Sequence, residues 1–94
     1  MGSTRKGRDI DAALQRKGFR CDPSGDHVRY FFGDTHVNTK MSHGMGGSSL
    51  GDDLLSRMAR QLRLTKKQFL ALIDCPLDES GYRAILEEHG IISA

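Results

Sequence analysis

"SGDHVRYFFGDTHVNTKMSHGMGG", residues 24–47, is where the chain stops repeating with the period of a helix and begins to alternate. In HVRYFF, Val28, Tyr30 and Phe32 fall on one face and His27, Arg29 and Phe31 on the other, because successive strand side chains point to opposite sides. Gly33-Asp34 closes a tight hairpin in this reading. THVNTKMS, residues 35–42, then returns with Val37, Thr39 and Met41 on one side and His36, Asn38, Lys40 and Ser42 on the other. Just upstream, Phe19 to Asp22 reads as a strand and DPSGD as a turn, from its Pro, Ser, Gly and Asp content. Three antiparallel strands therefore share one apolar face and one polar face, and the apolar face needs a cover.

The flanking segments supply that cover. Ile10, Ala13, Leu14 and Lys17 follow helical spacing over Arg8 to Lys17, with acids Asp9 and Asp11 at the start, Arg16 and Lys17 at the end, and Gly18 where a left-handed residue is wanted. HGMGGSS, residues 43–49, is too glycine-rich for regular structure and reads as a mobile loop. Ser49 and Asp52 resemble a capping box ahead of the stripe Leu50, Leu54, Leu55, Met58, Ala59 and Leu62, which predicts a helix ending near Arg63. Thr65 and Gln68 form a second capping box, opening a helix with Phe69, Leu72 and Ile73 that Pro76 ends. Asp78 is the expected N-cap of a last helix through Tyr82, Ile85 and Leu86, with Gly90 at its end and Ile91 and Ile92 packing back. The predicted fold class is α+β: a two-layer α-β-β-β-α domain over residues 8–63, with two short C-terminal helices over 64–94 packed on it. Residues 1–7 are expected to be a disordered N-terminus or tag remnant.

Composition narrows the function classes. The 94 residues are 37% hydrophobic, enough for one small core. No run of about 18 apolar residues exists and the basic start is not followed by an apolar segment, so no membrane span or secretory signal is expected, and the cytoplasm is the expected location. Cys21 and Cys75 lack the close spacing of zinc-binding pairs and read as buried thiols. Net charge is only +2, but its distribution is uneven. Arg5, Lys6, Arg8, Arg16, Lys17 and Arg20 crowd the first twenty residues. Arg57, Arg60, Arg63, Lys66 and Lys67 follow one another without an acid, whereas the tail is acidic at Asp74, Asp78, Glu79, Glu87 and Glu88. Such a chain can turn a basic face to nucleic acid, although charge runs on helices are more often plain solvated faces.

DIDAALQRKGFRCDPSGDHVRYFF followed by SSLGDDLLSRMARQL resembles the small HicA-type toxins of toxin–antitoxin modules, which have a double-stranded-RNA-binding-like α-β-β-β-α fold and cleave mRNA. The resemblance covers residues 8–63 and rests on a helix ending in Gly18-Phe19 and on the turn Gly25-Asp26-His27 that opens the second strand. It implies His27 at the family's catalytic position, His43 near the histidine that follows the third strand in many members, mRNA as substrate, no cofactor, and a HicB-like antitoxin as partner. Asp26 stands where the family usually has Ser, Val28 where a second His is frequent, and the helices beyond Arg63 exceed the compact toxin.

The residue types suit that chemistry. RNA cleavage without a metal needs a base for the 2′-hydroxyl, an acid for the leaving 5′-oxygen and cations for the phosphorane charge, and imidazole serves the first two near neutral pH. The expected site is therefore His27 as general base or acid, His43 as a second proton-transfer group, and Arg29 and Lys40 as phosphate contacts, with Asn38, Arg20 and Phe31 on the same face to hold RNA. Before the resemblance is considered, a histidine at the start of a strand needs no function. His36 and His89 read as surface residues, and a zinc site from His27, His36, His43 and a cysteine is conceivable but not demanded by the spacing. The loop 43–49 lacks the Lys of a P-loop, and the terminal helix pair is too acidic and its turn too long for a DNA-reading helix-turn-helix. Two other readings stay open: a non-catalytic RNA-binding domain, which needs the cations and no histidine, and an interaction module whose terminal helices dock a partner or form a homo-oligomer.

Overall fold

A computed structural model of the chain describes residues 4–44, 47–74 and 76–92. Its elements are β1 (Arg5–Lys6), α1 (Gly7–Arg16), β2 (Phe19–Asp22), β3 (His27–Phe32), β4 (Asn38–Ser42), β5 (Ser49–Leu50), α2 (Asp52–Gln61), α3 (Lys66–Asp74) and α4 (Glu79–Glu88). The class is α+β, with an antiparallel sheet ordered β2-β3-β4 and four helices, two of them C-terminal. Phe19 pairs with Phe32, Cys21 with Tyr30, Tyr30 with Thr39 and Val28 with Met41, so the apolar alternation of the three strands falls in register on one face. On that face Phe19, Tyr30, Phe32, Thr39 and Met41 are buried.

The cover is continuous. Ile10 and Leu14 of α1, Leu55 and Met58 of α2, Phe69 and Leu72 of α3, and Tyr82 and Leu86 of α4 join the sheet in one core cluster. Fully burying a side chain of this size is worth about 1.5–3 kcal/mol, so the last two helices hold the domain together as much as the first two. Phe19, Phe32 and Tyr82 form an aromatic trio with centroid separations of 4.7–5.6 Å, and the Tyr82 hydroxyl donates to the Leu62 carbonyl at 2.8 Å. Lys17, one of the basic residues of the first twenty, is buried, and its ammonium donates to the Leu77 carbonyl.

Helix ends follow the expected chemistry at three places. Gly18 leaves α1 at φ +89°, a left-handed conformation that favours glycine, with the Glu79 carboxylate packed against it. Thr65 and Gln68 exchange the reciprocal bonds of a capping box at 2.9 and 3.1 Å, and Asp78 Oδ1 accepts from the Gly81 amide.

Elsewhere the structure corrects the sequence reading. The N-terminal segment is not wholly irregular: Arg5 and Lys6 pair with Leu50 and Ser49, and Arg5 is bound to Asp74 by a paired guanidinium–carboxylate contact at 2.5–2.9 Å. Ser49 is consequently strand rather than N-cap. Helix α2 starts later, with Gly51 as an N-cap that supplies no side-chain bond. The turn after β3 is longer than a two-residue hairpin, because Phe32 and Val37 form its closing pair and Thr35 Oγ1 donates to the Phe32 carbonyl. Cys21 is half-buried rather than buried, and burial together with the charges of Asp11 and Asp22 raises its pKa. Cys75 lies outside the described residues, as do Met45 and Gly46 of the segment 43–49 that the sequence predicts to be a loop.

Candidate nucleic-acid interface

Among the described residues no helix covers the sheet's second face, whose side chains are exposed or half-buried, and its register gathers the polar alternation into three cross-strand rows. Phe31 lies between Arg20 and Asn38, Arg29 between Asp22 and Lys40, and His27 opposite Ser42. All five expected RNA contacts therefore share one face with His27. Arg20, Arg29 and Lys40 are exposed, and Asn38, Phe31 and His27 are half-buried. The face of Phe31 is already occupied on one side, since the Arg20 guanidinium stands 4.9 Å from its ring centroid, a favourable cation–π arrangement. Any base stacking at this end would use the Arg20 plane or the remaining side of the ring.

One acid shares this surface. Asp22 accepts from the hydroxyl and the amide of Ser24. Those bonds, helped by the charges of Arg20 and Arg29, hold its carboxyl below the usual range, so it stays ionised near neutrality beside Arg29.

His43 lies one residue beyond Ser42, and its Nε2 is 2.8 Å from the Gly25 carbonyl oxygen. A carbonyl only accepts, so Nε2 carries the proton in this contact and Nδ1 is the free nitrogen. The β2–β3 turn thus brings both expected histidines to one end of the sheet, because Gly25 precedes His27 by two residues. His36 and His89 are exposed, as expected. Among the described residues no group of three His, Cys, Asp or Glu side chains is placed to hold a metal ion, so the histidines are not gathered into a zinc site.

The sequence reading missed half of the basic surface. Arg57, Arg60 and Arg63 follow one another at three-residue spacing along and just beyond α2, and they line a channel with Arg29, Asn38, Lys40 and Gln61 that holds five cations and no carboxylate. The spacing was visible as a charge run, but nothing in it said that α2 packs beside the edge strand β4. The Thr39 hydroxyl fixes that packing by donating to Gln61 Oε1 at 2.6 Å. Lys66, from the same run, is committed elsewhere through its ion pair with Asp52. A second hollow continues the channel toward His27 and is lined by His27, Lys40, Ser42, Leu54, Arg57 and Met58, among others.

Arg63 is also the one described non-glycine residue with positive φ, at +65°. Its amide bonds to the Arg60 carbonyl and the Leu64 amide to Ala59, which is the two-bond helix ending in which glycine is the usual left-handed residue. Gly90 fills the same role at the end of α4. At α2 the chain accepts a conformational cost on the order of 1 kcal/mol, and the residue that bears it is a channel cation. No family model, curated protein or solved structure matches the chain significantly.

Proposed function

We propose that the protein is a HicA-like endoribonuclease that cleaves mRNA, the toxin of a toxin–antitoxin pair, and that it grips RNA phosphates along the channel between β4 and α2. The observation that carries this reading is the channel lined by Arg29, Lys40, Arg57, Arg60 and Arg63 with no carboxylate among its described lining residues, and His27 at the end to which the hollow leads. Phosphate neutralisation supplies most of the affinity of such a surface, and the adjacent imidazole supplies the chemistry. His27 takes the proton of the ribose 2′-hydroxyl as the 2′-oxygen attacks phosphorus. The phosphorus–5′-oxygen bond breaks, and His43, entering the step doubly protonated, gives its Nδ1 proton to the departing 5′-oxygen, leaving a 2′,3′-cyclic phosphate and a 5′-hydroxyl. Arg29, Lys40 and Arg57 offset the charge that grows on the phosphorane. Because the nucleophile is the 2′-hydroxyl, DNA is not a substrate.

A second reading, RNA binding without cleavage, is favoured by one feature: Arg60 and Arg63 line the channel but not the hollow that contains His27, so part of the grip needs no histidine. Burial of Phe69, Leu72, Tyr82 and Leu86 weighs against a docking role for the terminal helices, since their main apolar faces are spent in the core.

Replacing His27 with Ala separates the two readings. Cleavage of a 2′-hydroxyl-containing RNA and growth arrest on expression should fall by about 10²-fold or more, while retention of the same RNA on a filter persists. A wild-type protein that retains RNA but never cuts it leaves only the binding reading, and one that does neither removes both.

A further inference from the structure

In an antiparallel pair, hydrogen-bonded and non-bonded partners alternate. The Phe32 amide donates to the Val37 carbonyl, so Tyr30 with Thr39 and Val28 with Met41 are the bonded pairs of β3 and β4. The backbone N–H and C=O of Asn38, Lys40 and Ser42 consequently point away from β3, and β4 is the last strand of its sheet. A sheet edge of this kind is a template for one more strand. Directly beside it lies the hollow that Met41, Leu50, Leu54 and Met58 line together with polar residues, His27, Lys40 and Arg57 among them. Leu54, at 37% accessibility, is the exposed large hydrophobic residue among those described. The hollow measures about 80 Å³, roughly half of the ~150 Å³ that admits a benzene ring. Its apolar lining residues suit an aliphatic side chain.

We propose that β4 accepts an extended, acidic segment of a partner protein as an additional strand, with one aliphatic side chain in the Met41–Leu50–Leu54–Met58 hollow and carboxylates on Lys40, Arg57 and Arg60. Strand addition of this kind takes affinity from main-chain bonds and specificity from alternate side-chain pockets. Charge selects the occupant. A second copy pairing β4 with β4 would set Arg29, Lys40 and Arg57 against their own equivalents, which is repulsive. The acids Glu79, Glu87 and Glu88 lie within α4 and so cannot be offered as a strand. The incoming segment would overlap the phosphate channel at Lys40 and Arg57, so its binding would compete with RNA. The docking mode itself rests on the edge and the hollow alone.

The probe is a capped heptapeptide alternating Glu and Leu, tested against the same peptide with Lys for Glu and with N-methyl groups on the amides that face the sheet. The expected result is slowed hydrogen exchange at the Asn38, Lys40 and Ser42 amides, about 10-fold weaker binding to Leu54→Gln, as removal of one buried aliphatic contact implies, and loss of binding by both control peptides. Ser42→Pro is the second variant; it deletes an outward donor without touching the β3 ladder and should also weaken binding. The inference is overturned if no peptide binds, if the methylated peptide binds as well as the parent, or if exchange at these amides is unchanged. Homopolymeric RNA is measured in parallel. Amides slowed by RNA and not by peptide sink the strand proposal and leave the RNA reading standing, whereas peptide protection without RNA retention does the reverse.

Discussion

The Thr39 hydroxyl donates to Gln61 Oε1 at 2.6 Å across 22 residues of sequence, tying the edge strand of the sheet to the last turn of α2. Thr39 is fully buried. Together with the shared apolar core, this contact holds the cations of β3 and β4 alongside those of α2, so it belongs to the stability of the domain and to the shape of the channel together. Thr39→Val keeps the volume and removes the donor. It should lower the unfolding free energy by about 1–2 kcal/mol, measured by urea titration, and weaken RNA retention more than an exposed substitution of equal cost such as Ala12→Gly in α1.

Arg63→Gly separates stability from binding. Glycine relieves the left-handed conformation at φ +65°, so the unfolding free energy should stay level or rise by up to about 1 kcal/mol. RNA affinity should fall, and the slope of log affinity against log salt should flatten by about 0.7 for the lost phosphate contact on a single strand. An unchanged salt slope would remove Arg63 from the interface.

Alkaline stability should be governed by Tyr30 and Tyr82. Burial, and for Tyr30 also the hydrogen bond its hydroxyl donates to Asp11 at 2.6 Å, raises both phenols well above their ordinary value. A raised folded-state pKa gives stability that is complete below the unfolded value near 10 and is lost as pH rises past it, since only the unfolded chain then releases the protons. Urea midpoints should therefore decline between about pH 10 and 12, and Tyr82→Phe should make that decline shallower. If the variant and the wild type fall in parallel, burial of this hydroxyl is not what sets the slope.

Removal of residues 64–94 should abolish cooperative folding and not merely trim a tail. It takes away Phe69, Leu72, Tyr82 and Leu86, each fully buried in the common core, and at about 1.5–3 kcal/mol apiece their loss rivals the whole stability of a small domain. Circular dichroism and a thermal scan of the 1–63 fragment provide the check. A sharp transition would make the sheet domain independent of its C-terminal helices.

The sequence by itself determined the two-layer class and the faces of the strands, because a two-residue alternation admits one assignment once one face is buried: Val28, Tyr30 and Phe32 had to go in, and His27, Arg29 and Phe31 out. It also determined the caps at Thr65–Gln68 and Asp78 and the glycine at position 18, where the physics is local. Only the tertiary structure decided which helix lies beside which strand. That choice turned Arg57, Arg60 and Arg63 from an apparent solvated face into one wall of the channel, paired Lys66 with Asp52, buried Lys17, and drew Arg5–Lys6 into a strand with Ser49–Leu50. Each of these depends on contacts between residues far apart in the chain, whose geometry is set by how the core closes and leaves no trace in short-range spacing.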